Sequence, residues 1–259
     1  MKTIILTILF NVAALVIVSG QNPGEIIKKS HDAVKVSSFE AVSTLTITDS
    51  RGNQRVRKST MASMSTPDGT EKRIIKFLSP PEVKGTGILI FDYPEKSDDM
   101  WIYLPALRKT RRIVSTEKSK SFMGSEFSNA DMTAPGVDDF SYELLGEESI
   151  QGYACYKIQS TPVNRDLEDQ YGYSRSVQWV DKNTYLVHRT EYDDFDGELF
   201  KTIENRDFRE LDPSKNKYMV THMTAQNHSN DRSSEMVMEK VALTATDPSY
   251  FTVSFLEKE

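Results

Sequence analysis

Cysteine, histidine and long apolar runs are all scarce in this 259-residue chain. Its one cysteine, Cys155, excludes an internal disulfide framework and any Cys-rich zinc or iron–sulfur site. The four histidines, His31, His188, His222 and His228, are scattered and show no His-Glu-x-x-His spacing, so they read as satisfied polar residues rather than metal ligands. No Gly-x-Ser-x-Gly elbow presents a nucleophilic serine, and Gly85-Thr86-Gly87 lacks the third glycine of a dinucleotide-binding loop. The carboxylate pairs Asp98-Asp99 and Asp138-Asp139 are adjacent, which on a strand points their members to opposite faces. Asp193 to Glu198 offers no frame for a calcium loop and reads as a hairpin turn at Asp196-Gly197. Positive charge is in deficit too. With 38 acidic residues against 32 Lys and Arg, a net charge of −6 excludes a protein whose main task is gripping nucleic acid. Neither enzymatic chemistry nor a cofactor is expected.

What is present begins with one apolar stretch, Ile4 to Val18, preceded by Lys2 and followed by Ser19-Gly20. Residues 1–20 read as a secretory signal peptide, leaving residues 21–259 as one domain. Thr7 and Asn11 interrupt the stretch and it is short for a membrane span, so a retained anchor is the weaker reading. No cysteine follows it to carry a lipid. The expectation is an exported, soluble, unanchored protein.

Residues 23–35 place Ile26, Ile27, Ala33 and Val34 near one helical face. Beyond them the period changes to two: Phe39, Ala41, Leu45 and Ile47 alternate with polar residues, and similar segments follow between turn signals such as Asp196-Gly197 and Ser229-Asn230-Asp231. Tight turns cannot join parallel strands, so the spacing predicts a large antiparallel sheet. Ile88 to Phe91 and Met100 to Leu104 break the alternation and have no polar face, which requires cover on both sides. Residues 115–137 lack strand periodicity yet carry Phe122, Met123, Phe127 and Met132, as a loop or short helices lying over the sheet would. A short turn from Asp247-Pro248 and a last strand, Val253 to Leu256, close the pattern.

Two features rise above this background. One is an apolar excess, in which Met219, Met223, Met236 and Met238 share a face if the hairpin turns near Asn230, a composition suited to greasy ligands of varied shape. The other is the basic run Arg108, Lys109, Arg111 and Arg112, which reads either as a solvated strand face or as a docking patch for a partner or lipid headgroups.

The run FLSPPEVKGTGILIFDYPEKSDDMWIYLPALRKTRRIVSTEKSKSFMGSEFSNADM, residues 77–132, resembles the signature of outer-membrane lipoprotein-sorting proteins, in the superfamily of the periplasmic carriers LolA and LolB. The opening EIIKKSHDAVKVSSFEAVSTLTITDSRGNQR is similar to the carriers' N-terminus. That resemblance implies a mainly β (α+β) fold: one antiparallel sheet curled into an incomplete barrel, with an N-terminal helix and short helices or loop over its open side. It implies a monomeric periplasmic carrier that holds acyl chains of lipoproteins or another lipid and shuttles them towards the outer membrane. Trp101, Tyr103, Leu104, Phe122, Met123 and Phe127 become cavity or lid residues. Arg108, Lys109, Arg111 and Arg112 become the docking run for an inner-membrane transporter or outer-membrane acceptor. The alternatives are a non-enzymatic envelope module serving a resistance-nodulation-division-type exporter and, further off, a lipid or glycan hydrolase.

Overall fold

In the computed structural model, which describes residues 22–94 and 96–258, thirteen strands arise where the period-two pattern runs. The expected signal peptide, residues 1–20, lies outside the described residues. The first six strands are β1 (Ser38–Thr48), β2 (Gln54–Ser65), β3 (Glu71–Ser79), β4 (Gly87–Asp92), β5 (Asp99–Leu104) and β6 (Lys109–Ile113). The other seven are β7 (Phe140–Ile150), β8 (Tyr153–Pro162), β9 (Arg175–Asp181), β10 (Val187–Asp193), β11 (Leu199–Asp212), β12 (Lys217–Asn227) and β13 (Arg232–Ala242). They form one antiparallel sheet in the order β6-β5-β4-β3-β2-β1-β13-β12-β11-β10-β9-β8-β7. Each half is a meander of hairpin neighbours, and the halves meet where β1 pairs with β13. The outermost strands, β6 and β7, do not pair, so the curled sheet stays open. The chain that joins them, residues 114–139, must therefore travel from one edge of the sheet to the other.

Helix α1 (Pro23–Ala33) forms as the sequence leads one to expect. The Asn22 side chain accepts the Gly24 N–H at 3.0 Å, Pro23 pre-sets the first turn, and Ile26 and Ile27 bury against Tyr156, Ile158 and Val180. A second helix, α2 (Arg165–Tyr171), ends at Gly172, whose φ of +83° suits glycine. A Cβ there would stand 2.6 Å from the Ser119 side chain, so the glycine also lets the crossing segment pass close by.

The two doubly apolar strands are indeed covered twice. Ile88, Ile90 and Met100 belong to the main core, with Phe39, Ile75, Phe122, Phe127, Met132 and Met236. Leu89, Trp101 and Tyr103 belong to a second cluster on the other face, closed by Phe251 and Leu256 from the end of the chain. The expected last strand is a short helix instead, α3 (Val253–Leu256), capped by Thr252, whose side chain accepts the Phe255 N–H at 3.1 Å. A strand has no place there, because β4 already pairs with β3 and β5 on its two edges, and what it still offers is an apolar face. Gly87 lets α3 approach: a Cβ would lie 2.6 Å from Leu256 Cδ1 and 3.3 Å from the Leu256 carbonyl oxygen.

Candidate functional site

The inner face of the sheet is roofed by the crossing segment, and the sequence of that segment explains its shape. Phe122 donates its N–H to the Phe127 carbonyl at 2.7 Å, while Met123 and Gly124 take left-handed backbone angles, so residues 121–128 fold into a tight loop. Ser125 Oγ donates to the Phe122 carbonyl at 2.7 Å and fixes the turn. Phe122 and Phe127 thereby point the same way and are 2% and 1% exposed. Their burial removes most of two aromatic side chains from water, each worth about 2 to 3 kcal/mol.

Polar latches tie this roof to strands from both halves of the sheet. Arg57 donates to the Met123 carbonyl, and Arg73 to the Met132 carbonyl at 2.8 Å. Arg232 reaches the Gly124 carbonyl at 3.1 Å and pairs with Glu126 at 3.0 Å, and Asn227 also donates to Glu126 at 2.9 Å. Two ion pairs are almost fully buried: Lys201 with Asp131 at 2.8 Å, and Lys118 with Asp98 at 2.7 Å. Removing one member of such a pair leaves an uncompensated buried charge, which costs about 3 to 5 kcal/mol.

Beneath the roof, beside Met132, lies a cavity of about 310 Å³. Phe39, Met61, Met219, Met223, Met236 and Met238 line it. Met223 stands directly opposite Met236 in the β12–β13 ladder, so the four methionines anticipated on one face do converge. Its mouth opens between α1 and residues 133–135, where His31, Lys35, Glu71, Arg73 and Asp92 stand. Burial pushes the Asp92 carboxyl up to about 6, with Asp98 and Glu71 adding to the rise and the Ala134 N–H at 3.0 Å opposing it. His31 is held down at about 4, by burial and then by Lys35. No motif or periodicity marks these mouth residues in the chain. They come from α1 and the residues after it, β3 and β4, and meet only through the curl of the sheet.

The anticipated site residues fall into three groups. Phe122, Met123 and Phe127 lie on the crossing segment against the inner core, packed into the roof itself. Trp101 and Tyr103 are not cavity residues: strand alternation sends Met100 and Ile102 inward and these two to the opposite face, under α3. Leu104 ends β5, half-buried, away from the cavity lining. The basic run forms edge strand β6 and the turn before it, with Arg108 at a left-handed φ of 46°. Arg111 pairs with Glu117 at 2.8 Å and Arg112 with Asp99, while no ion pair is found for Arg108 or Lys109 among the described residues. Cys155 is buried, and burial followed by the charges of Asp181 and Glu148 pushes its thiol up to about 11, the opposite of a nucleophile.

A family model whose description reads "-like: Uncharacterized protein" matches residues 69–258. No curated protein matches the chain. Among solved structures, a domain from Vibrio parahaemolyticus described as an outer membrane lipoprotein-sorting protein superposes with a TM-score of 0.82 at 24% identity, covering 91% of this chain and 98% of that one. A DUF1329 family protein from Desulfovibrio piger gives 0.81 at 29% identity, covering 91% and 100%. A LolA superfamily protein from Nitrosomonas europaea gives 0.69 at 18% identity, covering 91% and 100%.

Proposed function

Since this chain belongs to the family matched over residues 69–258 and has the fold of LolA-like lipoprotein-sorting proteins, we propose that it is a periplasmic carrier of acyl chains. The observation that supports this reading is the methionine-lined cavity beneath a latched roof. Methionine is flexible and polarizable, so a lining rich in it adapts to chains of differing length and saturation. Each methylene taken from water is worth about 0.8 kcal/mol, so sixteen carbons give on the order of 10 kcal/mol before the costs of association. Binding and release then require no covalent step.

At about 310 Å³ the cavity is at the lower end of ligand-sized pockets and accepts part of such a chain as it stands. Phe122 and Phe127 occupy the adjoining core space. Lifting residues 119–132 off the sheet would free that space for the remainder of the chain, and reclosing would return the two rings when the cargo leaves. The exposed basic edge at Arg108 and Lys109 serves as a docking surface for an acceptor membrane or a partner transporter, its charges steering the encounter.

Native mass spectrometry of gently purified protein, together with titration of a long-chain fluorescent fatty acid, tests the proposal. Co-purified lipid and saturable binding are expected. If the protein carries no lipid and the probe does not saturate, the cavity is packing slack and the protein is an interaction module of the envelope.

A further inference from the structure

The apolar cavity is not the end of the concavity. It continues past the mouth into a polar vestibule of about 470 Å³, and both spaces are bounded by His31, Lys35, Glu71, Asp92, Ala134 and Pro135. A greasy chamber that opens into a charged one fits an amphiphile, with its chain inside and its headgroup in the vestibule. The charges of the vestibule then specify the headgroup.

Carboxylates outnumber lysines on the vestibule wall, six to four. Two are already satisfied: Asp98 by Lys118, and Asp139 by the Tyr171 hydroxyl at 2.6 Å. Two at the neck keep acceptor atoms to spare. Glu71 Oε1 is buried with no hydrogen-bond partner, while its Oε2 makes only a long ion pair, at 4.0 Å, with Arg73 Nη2, whose Nη1 is committed to the Met132 carbonyl. Asp92 accepts the Ala134 N–H, and no Lys or Arg lies within ion-pair distance of it among the described residues. These two carboxylates therefore hold unused acceptor capacity in a partly desolvated place, which favours a donor and repels an anion. Of the lysines, Lys118 is paired with Asp98 and Lys96 stands over the Tyr93 ring at 3.7 Å, outside the neck, which leaves Lys35 as the lysine that bounds both spaces beside the two carboxylates.

Resting on the carrier reading above, we propose that the cargo is an amphiphile whose headgroup bears an ammonium, held at the neck by Asp92 and Glu71 with its chain among the methionines. An ammonium presents three donors, enough to serve both carboxylates at once. The buried, raised Asp92 carboxyl accords with a negative neck awaiting a cation. Lys28 and Lys35, on the α1 side of the vestibule, suit the phosphate of a zwitterionic head.

The test is displacement of a bound fluorescent fatty acid by lysophosphatidylethanolamine and by lysophosphatidylglycerol of the same chain length, both below micelle formation, at pH 7.5. The ethanolamine lipid is expected to compete about tenfold more strongly, the equivalent of one charge-assisted hydrogen bond. Asp92→Asn and Glu71→Gln, made singly and together and verified by thermal melting, are expected to erase that preference and to bind the anionic fatty acid at least as tightly as the parent, since two repelling charges at the neck are gone. Equal competition by the two lipids overturns the headgroup assignment and leaves the acyl carrier standing. A preference that survives in the folded double variant overturns the role of these two carboxylates. Absence of binding by the fatty acid and both lipids overturns the carrier reading as well.

Discussion

Asp92 ends β4 with its carboxyl at the neck of the cavity, facing Glu71 and Arg73 on β3, His31 on α1 and Lys35 just after it, and Asp98 with its partner Lys118. A carboxyl raised from about 3.9 to about 6 favours the folded state when protonated. That stability is fully present below the unfolded pKa and is lost as pH rises through about 6. His31, lowered to about 4, acts in the opposite sense, losing stability as pH falls below its unfolded value. Asp92→Asn removes the first effect alone. It should melt higher than the parent at pH 7.5, by up to roughly 3 kcal/mol, and nearly with it at pH 4.5, as melts of both proteins at both values will show. A second residue-scale prediction separates cavity from cover. Met223→Gln should weaken fatty-acid binding about tenfold with little change in melting, because a polar amide replaces part of the lining. Trp101→Ala should lower stability by about 3 kcal/mol and leave affinity unchanged, because that ring packs under α3 and against Phe91 at 5.3 Å. The sequence showed that β5 has two apolar faces. Alternation alone does not say which face is inner, and the family resemblance that makes Trp101 and Tyr103 cavity or lid residues does not settle it either.

In the proposed carrier, the crossing segment is the element on which loading and release would depend. Its composition was legible, since apolar residues without periodicity between two strand regions imply a cover, and its phenylalanines do sit in the roof. Its anchoring was not legible: the partners of Asp131, Glu126 and the Met123 carbonyl lie far along the chain, on strands brought beneath the segment only by folding. Asp131→Asn leaves Lys201 charged and buried without its counter-ion. It should destabilise by about 3 to 5 kcal/mol, raise hydrogen exchange across residues 119–132 and speed release of bound fatty acid. The double variant Asp131→Leu with Lys201→Met should recover the melting temperature, since a well-packed apolar pair replaces the ions. At β6, Arg108→Glu combined with Lys109→Glu should leave binding and melting unchanged yet slow transfer to anionic vesicles at low salt. Arg111 and Arg112 are poorer probes because Glu117 and Asp99 already neutralise them. The last element departs from its strand-like composition for a related reason. Val253 to Leu256 has the composition of a strand, but the sequence cannot reveal that β4, on which it lands, is already paired along both edges.

At the scale of the whole molecule, the sheet is two local meanders joined along a single line. Every ladder within β1–β6 and within β7–β13 links strands that follow one another in the chain, whereas the β1–β13 pairing brings together residues such as Thr44 and Glu239, 195 positions apart. Each half can therefore assemble by short loop closures, and only the joint carries a large entropy of closure. The joint is a seam between two prefabricated panels, and it is where the molecule can come apart and be reassembled with another copy. Held partly unfolded at high concentration, two chains should trade panels, β1 of one zipping onto β13 of the other, to give a dimer that size-exclusion chromatography resolves and that dilution returns to monomer only slowly.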